Sequence, residues 1–596
     1  MINRRAAKLR FRRSVRLKRL QVEELGQFAE RNLERNFFRR LERLVEVRRF
    51  IASWLLLLVL LGGCVVAQTR ALGRYYQLPQ PAPGGTYTEG ILGAFTNANP
   101  VYATSAVDST VSRLIFAGLF TYNDANQLVG DLATGMDVSG GGMVYTVHLR
   151  PNVTWQDGRP LTADDVVFTY QVIQNPDAHS PLQSSWRGVA VAKVDAQTVT
   201  FTLRNAISSF PYSLTNGIVP KHLLGGYSMA QLRSVPFNTR APVGAGPFMW
   251  RTIEVKGGSP ENRQEQIALS PFANYHAGQP KLNSFVVRAF RNQDQLVHAF
   301  QKKEVTAMVG LTGVPGNLTQ DSGIDTYSMQ LSAQVMTFFR TTQGVLSDSK
   351  VRQALVRATD TIAILQQLDY PAQPVREPIL KGQPGYNPAY IQPGYDVAAA
   401  KALLDANGWT VGANGIRVKD KVRLSFRLYA QDTSEYARVA RMLQKQWRAV
   451  GVDAQLTLQA NTDIQGTLAA HSYDALLYGI SVGPDPDVFV YWDSSQADVR
   501  SLNRLNFSEW KSPTADVALE AGRTRTDPAI RGVKYQPFLQ AWQTETPAVG
   551  LYQPRFLYIT RVPVYGLSEH AINADAERLT NVHNWMIRTV RASSTE

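Results

Sequence analysis

Two kinds of hydrophobic pattern alternate along most of the chain. The segments 143–150 (MVYTVHLR) and 198–204 (TVTFTLR) alternate apolar and polar residues, which predicts half-buried strands. Apolar residues at three-to-four spacing predict helices in four further segments, 108–120, 349–368, 397–409 and 434–452. The last two carry Gly408 and Gly451 at their ends, where glycine commonly terminates a helix. The mixture predicts an α/β protein.

One uninterrupted apolar run differs from these short elements. The segment 50–67 (FIASWLLLLVLLGGCVVA) has eighteen residues and no charge, and as a helix it would span roughly 27 Å. Arg48 and Arg49 precede it, so the positive-inside rule places the N-terminus in the cytoplasm and the remainder outside. We therefore expect a transmembrane anchor over 50–67 in the cell membrane, a Pro/Gly linker over 68–85 and an extracytoplasmic body after it.

The positive charge of the chain is concentrated before this run. The 596 residues carry a net charge of +15, and residues 1–49 hold sixteen Lys/Arg against six Glu, which gives +10 of that total. A local basic leader beside an apolar run indicates an amphipathic helix on the anionic inner leaflet, and a cytoplasmic docking helix or coiled coil is the alternative. This distribution argues against nucleic acid as a partner.

Cys64 is the only cysteine of the chain, so no internal disulfide can form. It closes the sequence LLGGC, which resembles a bacterial lipobox, where the cysteine is lipidated. The apolar run continues past it, and the leader is longer than that of an ordinary signal peptide. Lipidation at Cys64 and an uncleaved membrane helix therefore both remain open.

Three aspartates, Asp157, Asp164 and Asp165, lie close together in the segment 155–170 (WQDGRPLTADDVVFTY). Paired carboxylates could act as a general acid and base. The local pattern favours structure instead, because Asp157-Gly158 is a turn dipeptide and Thr162 with Asp165 fits a capping box at a helix start. We predict turn and capping roles for all three.

The residues around this cluster also resemble a known family. The segment 149–173 (LRPNVTWQDGRPLTADDVVFTYQVI) is similar to the signature of the extracytoplasmic solute-binding proteins of peptide- and nickel-type ABC importers (family 5, like the oligopeptide- and dipeptide-binding proteins). Other segments resemble the family in the same order, at 99–123, 128–134, 243–248, 274–288, 351–360, 395–409, 447–456 and 472–489. The resemblance extends over about residues 86–590.

The resemblance implies a periplasmic-binding-protein-like, two-lobed α/β Venus flytrap (type II, cluster C-like) with an extra small domain. Here it would follow one N-terminal transmembrane helix. It implies lobe 1 in three parts, a small inserted domain and lobe 2. We place lobe 1 at 86–119, 241–335 and 551–596, the small domain at 120–240, and lobe 2 at 336–550.

The resemblance also directs attention to the loop after Gly479. In peptide-binding relatives an acidic residue there holds the ligand's ammonium group, but the matching positions here are Val482 or Gly483. Asp485 matches a structural acid of the family and could substitute. The departure puts a free peptide N-terminus in doubt and favours a blocked, modified or different ligand.

Further candidate ligand contacts follow from position in the family pattern. Phe338 or Phe339 could stack on a ligand, and Arg340 could bind a carboxylate. The alternatives are a core role for the phenylalanines and a neighbouring acid as the partner of Arg340. Tyr478 and Trp492 flank the loop and could line either the cleft or the core.

Ser481 lies in the sequence GISVG, a formal match to the nucleophile elbow of serine hydrolases. Pro484 and Pro486 follow at once, which suits a loop better than a helix; Asp575 and His583 would have to complete a triad. The eight histidines are scattered and no Walker A motif is present. We therefore expect no metal, no cofactor and no enzymatic activity.

Together these patterns predict a membrane-tethered receptor. It would capture an oligopeptide or peptide-like solute by lobe closure and deliver it to ABC permease subunits that work with separate ATPase subunits. A sensor of the same fold, signalling through the cytoplasmic helix, is the first alternative. A serine hydrolase that uses Ser481 is the second.

Overall fold

The structure is a computed structural model that describes residues 48–593 except 76, 260–261, 312, 317, 320, 371 and 502–503. The basic leader before Arg48 lies outside the described residues. The chain forms two compact units, one that runs to Gln80 and includes the residues from Thr589, and one from Pro81 to Arg588.

The first unit contains the helix Arg48–Tyr75. Its window Phe50–Ala71 has a mean hydropathy of 2.6 and is long enough to cross a membrane. Cys64 is an exposed free thiol on this helix. The first part of the predicted linker, residues 68–75, is helical and belongs to this helix. The strand Gln77–Ala82 follows and pairs with the strand Arg588–Ser593.

In the second unit, lobe 1 is built on a seven-stranded mixed sheet. Its apolar residues alternate between two clusters, one on each face: Phe556 and Tyr558 join the larger cluster, and Leu557 and Ile559 the smaller. In spatial order the strands are Asp325–Gln330, Arg555–Thr560, Ala307–Val309, Thr86–Leu92, Ser284–Phe290, Gln264–Pro271 and Phe248–Lys256. The helices Ala106–Ile115 and Gln293–Gln301 accompany this sheet.

The small inserted domain shares the larger apolar cluster with lobe 1. Its antiparallel sheet has the strand order Ala133–Ser139, Val144–Leu149, Thr198–Thr202 and Ala190–Asp195. The hairpin Phe120–Tyr122 with Leu128–Gly130 precedes this sheet in the chain. The helix Ala163–Gln174 lies between Val144–Leu149 and Ala190–Asp195, and the helix Lys221–Leu224 follows the last strand. Both sequence-predicted strands therefore lie side by side in this sheet.

Lobe 2 is built on a six-stranded mixed sheet with an apolar cluster on each face. The strand order is Gln373–Pro374, Ala548–Gln553, Ala333–Phe339, Ala475–Ser481, Ser425–Gln431 and Asp453–Gln459. A small sheet of Thr410–Val411, Arg417–Lys419 and Val422–Arg423 lies apart. The helices are Ser349–Arg357, Thr361–Leu365, Val397–Ala406, Ser434–Arg448, Asn461–Ala470, Phe489–Trp492, Pro513–Arg523 and Pro528–Glu545.

Two predicted helices are shorter than their patterns indicate. The segment 349–368 forms two helices, because the Asp360 carboxylate accepts a hydrogen bond from Ala363 N at 3.0 Å and starts a new helix. The helix predicted over 108–120 ends at Ile115. The chain then passes Thr215 at Gly118, where a Cβ atom would lie only 2.5 Å from the Thr215 carbonyl oxygen.

A buried ion pair joins the first and last parts of lobe 1. Arg578 and Glu89 are both fully buried, and the Arg578 guanidinium donates to both Glu89 carboxylate oxygens and, at 3.0 Å, to the Thr110 hydroxyl. The Tyr558 hydroxyl donates to Glu89 at 2.7 Å and is itself 2.7 Å from the Tyr87 hydroxyl. The pair thus connects a strand, a helix and the C-terminal segment.

We expect Arg578→Met to destabilise the protein by about 3–5 kcal/mol, because it leaves the Glu89 carboxylate buried without its counter-charge. The midpoint of urea unfolding, followed by tryptophan fluorescence, measures this loss. Arg500→Met is the matched control: Arg500 pairs with Asp498 on the surface and is 87% exposed, so its loss leaves the midpoint nearly unchanged. Equal midpoints for the two variants would contradict the prediction.

Candidate functional site

The three clustered aspartates are all occupied by structural partners. Asp165 accepts from Thr162 N and from Lys221 N, both at 2.9 Å, so it caps the helix and fixes the following segment. Asp164 pairs with Lys193 at 2.6 Å, and Asp157 with His222 at 2.7 Å. The turn and capping roles are confirmed, and the cluster supplies no free acid–base pair.

The two lobes are connected where neighbouring strands pass from one sheet to the other. The chain crosses at Leu331–Ser332 and returns at Pro554, between strands of the two sheets. The crossings are hydrogen-bonded to each other: Leu331 N donates to the Pro554 carbonyl at 3.2 Å, and the Gln553 side chain donates to the Leu331 carbonyl at 2.7 Å. This arrangement is typical of a hinge.

A cavity of about 380 Å³ lies between lobe 1 and the small domain. Arg113, Tyr122 and Glu577 supply its charged and phenolic groups, and the segment 215–217 forms part of its wall. Burial raises the pKa of Glu577 to about 6, against the lowering effect of Asn573 and Arg113. The cavity therefore offers a cation, a carboxyl group that titrates near neutrality and an aromatic face.

A second cavity of about 370 Å³ lies in lobe 2 at the end of the strand Ala475–Ser481. Two of the predicted ligand contacts, Tyr478 and Ser481, line it together with Tyr491 and Phe507. Tyr478 and Phe507 pack edge to face with ring centres 5.5 Å apart, and the Tyr491 hydroxyl donates to the Ser481 carbonyl at 2.8 Å. The structure thus brings an aromatic-lined surface to the predicted loop.

The small domain and lobe 2 touch across the cleft. Ser208 N donates to the Arg523 carbonyl at 2.9 Å, and the Ser209 hydroxyl donates to the Asp487 carboxylate at 3.0 Å. Arg523 also binds this carboxylate at 3.0 Å and lies over the Phe489 ring, 4.1 Å from its centre. These contacts can form only when the two lobes are close together.

Asp485, the candidate for ammonium binding, is engaged by an arginine. The Arg531 guanidinium donates to both carboxylate oxygens, at 2.6 Å to Oδ2, and both side chains are more than nine-tenths buried. Burial by itself lowers the pKa of Arg531, but the Asp485 carboxylate holds this pKa above its ordinary value. The placement favours a structural role for Asp485, because its charge is already compensated.

The structure favours the core alternative for three of the aromatic candidates. Phe338 and Trp492 are fully buried against each other, with ring centres 5.6 Å apart, and Phe339 is fully buried against Trp447 on the opposite face of the sheet. The two phenylalanines alternate as expected, but lobe 2 covers both faces of its sheet, so neither reaches the cleft.

Arg340 also has an internal partner, as the alternative to ligand binding predicted. Its guanidinium donates to Glu509 at 2.9 Å and to the His471 carbonyl at 3.0 Å. Against the effect of burial, hydrogen bonds from Thr342 and Arg340 lower the pKa of the Glu509 carboxyl. Arg340 therefore serves an ion pair inside lobe 2.

The surroundings of Ser481 differ from a nucleophile elbow. The residues after it form a loop, and the next helix begins only at Phe489. His583 lies in lobe 1 beside Tyr275 and Asn584, and the Asp575 carbonyl accepts from Arg578. Neither is placed next to the second cavity, so the geometry does not support a triad.

Several residues of the cleft were not identified from the sequence, among them Arg113, Glu577, Ser209 and Arg523. Arg113 lies in a predicted helix, and Glu577 lies far from it in the chain, near the C-terminus. Nothing in the local sequence pattern distinguishes either residue from its neighbours. Of the two phenolic residues at the second cavity, the family pattern indicated Tyr478 but not Tyr491. Among the described residues, no group of three or more His, Cys, Asp or Glu side chains could hold a metal ion.

Two sheets joined by paired crossings, with a cleft between them, define a two-lobed solute-binding protein. More specifically, the chain belongs to the bacterial extracellular solute-binding proteins of family 5: the model of that family, described as the family 5 middle region, matches residues 127–501.

Characterised relatives match most of the chain. The oligopeptide-binding protein AppA of Bacillus subtilis is 24% identical over 514 residues, which cover 84% of this chain and 92% of the relative. Its structure with a nonapeptide matches with a TM-score of 0.69, 24% identity and coverage of 85% and 100%. NikZ of Campylobacter jejuni, solved in complex with Ni(L-His), matches with a TM-score of 0.70, 24% identity and coverage of 84% and 99%. These structural matches show the shared fold.

We expect Asp487→Ala to shift the unliganded protein toward an open arrangement. The substitution removes the acceptor of Ser209 across the cleft and frees Arg523. A charge-assisted hydrogen bond of about 1–2 kcal/mol corresponds to a roughly tenfold change in the ratio of closed to open molecules.

Electron spin resonance distances between labels on cysteines introduced at Val194 and Val517 would measure this shift, in a Cys64→Ala background. Both positions are exposed and lie on opposite sides of the contact, in the small domain and in lobe 2. Asp498→Ala, which removes a surface acid within lobe 2, is the control. An unchanged distance distribution for Asp487→Ala would contradict the proposed closing role.

Proposed function

We propose that this protein is the membrane-tethered receptor of an ABC importer and that its solute is an oligopeptide or a peptide-like molecule. The observation that carries the proposal is the hinged cleft. Lobe 1 and lobe 2 meet at two adjacent crossings, and the small domain touches lobe 2 at Asp487. A cavity of about 380 Å³ lies between lobe 1 and the small domain, and one of about 370 Å³ lies in lobe 2. Binding between lobes needs no chemical step, and permease and ATPase functions then belong to partner subunits.

The choice of a peptide-like solute rests on two further observations. The cavity walls combine aromatic rings with a few charged groups, as ligand pockets commonly do, and a peptide-like solute presents both apolar and charged groups to such walls. Relatives with the same fold include the AppA protein named as oligopeptide-binding. The domain limits stated from the sequence, 120–240 for the small domain and 336–550 for lobe 2, belong to this proposal.

Native mass spectrometry of the full-length chain, released from detergent, tests the solute class. We expect the protein to carry co-purified molecules that fragment as peptides or as amide-linked derivatives. The Asp487→Ala variant serves as the control, because a more open cleft retains less of the same solute. Recovery of a sugar, a bare metal complex or another non-peptide molecule would contradict the proposed class.

The same proposal includes attachment by the helix Arg48–Tyr75, with the binding unit outside the membrane. We expect the intact mass of the protein from a bacterial membrane to equal that of the uncleaved chain, because the apolar window continues well past Cys64 to Ala71. A shorter chain that begins at Cys64 and carries added acyl mass would show a lipid anchor instead. Cys64→Ala, which cannot be acylated there, is the control for that assignment.

A further inference from the structure

The positive charge of the chain after the basic leader is concentrated in one part of lobe 2. The leader holds +10 of the total charge of +15, which leaves +5 for residues 50–596. The segment 397–452 alone holds ten Lys/Arg against four Asp/Glu, a net charge of +6. Outside this segment the body is therefore close to neutral. A concentration of one sign of charge indicates an interaction with a partner of the opposite sign.

The fold brings several of these cations onto one outer side of a helix. On the helix Ser434–Arg448, the side chains of Arg441, Lys445 and Arg448 are exposed. Their spacing of four and three residues places them along one side of the helix, over about 10 Å. The opposite side of the helix is buried in an apolar cluster of lobe 2. The exposed side therefore presents a row of cations to the solvent.

The small three-stranded sheet adds cations beside the end of this helix. The Arg448 guanidinium donates to the Asn414 carbonyl at 2.7 Å, which holds the sheet against the helix. Lys421 lies at the turn between two strands of the sheet and Arg423 follows it, both exposed. We call the combined surface the cationic face. It consists of Lys421, Arg423, Arg441, Lys445 and Arg448.

Most of the charge on the cationic face is not compensated within the protein. Arg423 is 3.6 Å from the Asp453 carboxylate. Among the described residues, Lys421, Arg441 and Lys445 have no ion-pair partner. Three positive charges on one side of lobe 2 are thus available to anions from outside the chain.

The membrane helix determines which anionic surface the cationic face meets most often. Its window Phe50–Ala71 is long enough to cross a membrane, the helix ends at Tyr75, and the first strand of lobe 1 begins at Thr86. Residues 76–85 between them span at most about 35 Å. A short tether of this kind gives an effective concentration on the order of millimolar. The surface of the membrane that holds the anchor is therefore the favoured partner.

We propose that the cationic face binds the anionic lipid headgroups of the membrane in which the chain is anchored. The inference rests on the proposed attachment by the helix Arg48–Tyr75 and goes beyond it, because the anchor leads into lobe 1 whereas the cationic face belongs to lobe 2. Lys and Arg donate charge-assisted hydrogen bonds to lipid phosphates, and an anionic surface attracts each cation within reach. Lobe 2 thereby gains a membrane contact of its own, separate from the chain that attaches lobe 1.

Energy transfer to headgroup-labelled lipid tests the proposal on the full-length protein in nanodiscs. The donor dye is attached to a cysteine introduced at Val411, an exposed residue of the small sheet, in a Cys64→Ala background. The nanodiscs contain phosphatidylcholine alone or phosphatidylcholine with phosphatidylglycerol. We expect stronger transfer in the anionic nanodiscs, and loss of this excess in molar sodium chloride, where the screening length is about 3 Å.

The variant Lys421→Gln/Arg441→Gln/Lys445→Gln removes the three unpaired charges and keeps side chains of similar length. Each cation near an anionic surface favours binding by about fivefold. We therefore expect the ratio of docked to undocked molecules to fall about 100-fold in this variant. The transfer in neutral nanodiscs should stay as in the parent.

The matched control removes the same amount of charge from another part of lobe 2. Lys511, Arg525 and Lys534 are exposed and lie in or beside the helices Pro513–Arg523 and Pro528–Glu545. These helices pack on the face of the lobe 2 sheet opposite to that covered by the helix of the cationic face. We expect Lys511→Gln/Arg525→Gln/Lys534→Gln to dock as the parent does. The basic leader is the same in all samples and does not account for a difference between them.

The outcomes separate docking from attachment. Equal transfer from the parent in neutral and anionic nanodiscs would overturn the docking, as would full docking of the Lys421/Arg441/Lys445 variant or an equal loss in the control. A parent that ignores phosphatidylglycerol but binds poly-glutamate would assign the cationic face to an acidic protein and overturn the lipid proposal. Co-elution of the chain with neutral nanodiscs measures attachment by itself: without it both proposals fail, and with it a missing lipid response overturns the docking alone.

Discussion

The pair of chain crossings at Leu331–Ser332 and Pro554 is the constraint on which the rest of the structure depends. Lobe 1 is assembled from segments that precede and follow lobe 2 in the chain, so the crossings are where the two sheets must stay connected. Their mutual hydrogen bonds keep them adjacent and leave rotation about one region as the easiest motion. The cleft loop is tied to the same place, because Val482 N and Gly483 N both donate to the Ser332 carbonyl, at 2.9 and 3.0 Å.

Because the loop is anchored in this way, its two acids, Asp485 and Asp487, have different structural roles. Asp485 is neutralised inside lobe 2 by Arg531, while Asp487 faces outward and contacts the small domain through Ser209. One acid therefore stabilises the loop and the other stabilises contact between the lobes, and both are already partnered. Among the described residues, Arg113 and Glu577 are the charged groups that line the cavity between lobe 1 and the small domain.

Much of the fold could be predicted from the sequence, because local patterns determine it. Alternation predicted the strands at 144–149 and 198–202, and the capping residues Thr162 and Asp165 predicted the helix start. The site was harder to predict for a physical reason. Alternation correctly placed Phe338 and Phe339 on opposite faces, but it cannot show that both faces of the lobe 2 sheet are covered.

The roles of charged residues were equally hard to predict, because the sequence does not show which residue will be the partner of a given charge. Arg340 meets Glu509 and Asp485 meets Arg531 through long-range packing, over 169 and 46 residues of chain. Such pairings are a property of the folded molecule.

The strength of the contact between the lobes sets how well the receptor can respond to its solute. A contact that forms without ligand favours the closed arrangement, and a ligand adds only the difference between its affinities for the two arrangements. Many strong bonds between the lobes would keep the cleft closed and exclude solute. Among the described residues, this contact has one serine–aspartate hydrogen bond at Ser209 and one backbone hydrogen bond at Ser208, which is weak enough for solute contacts to decide the balance. Release to a permease then requires only that a partner favour the open arrangement by a similar amount.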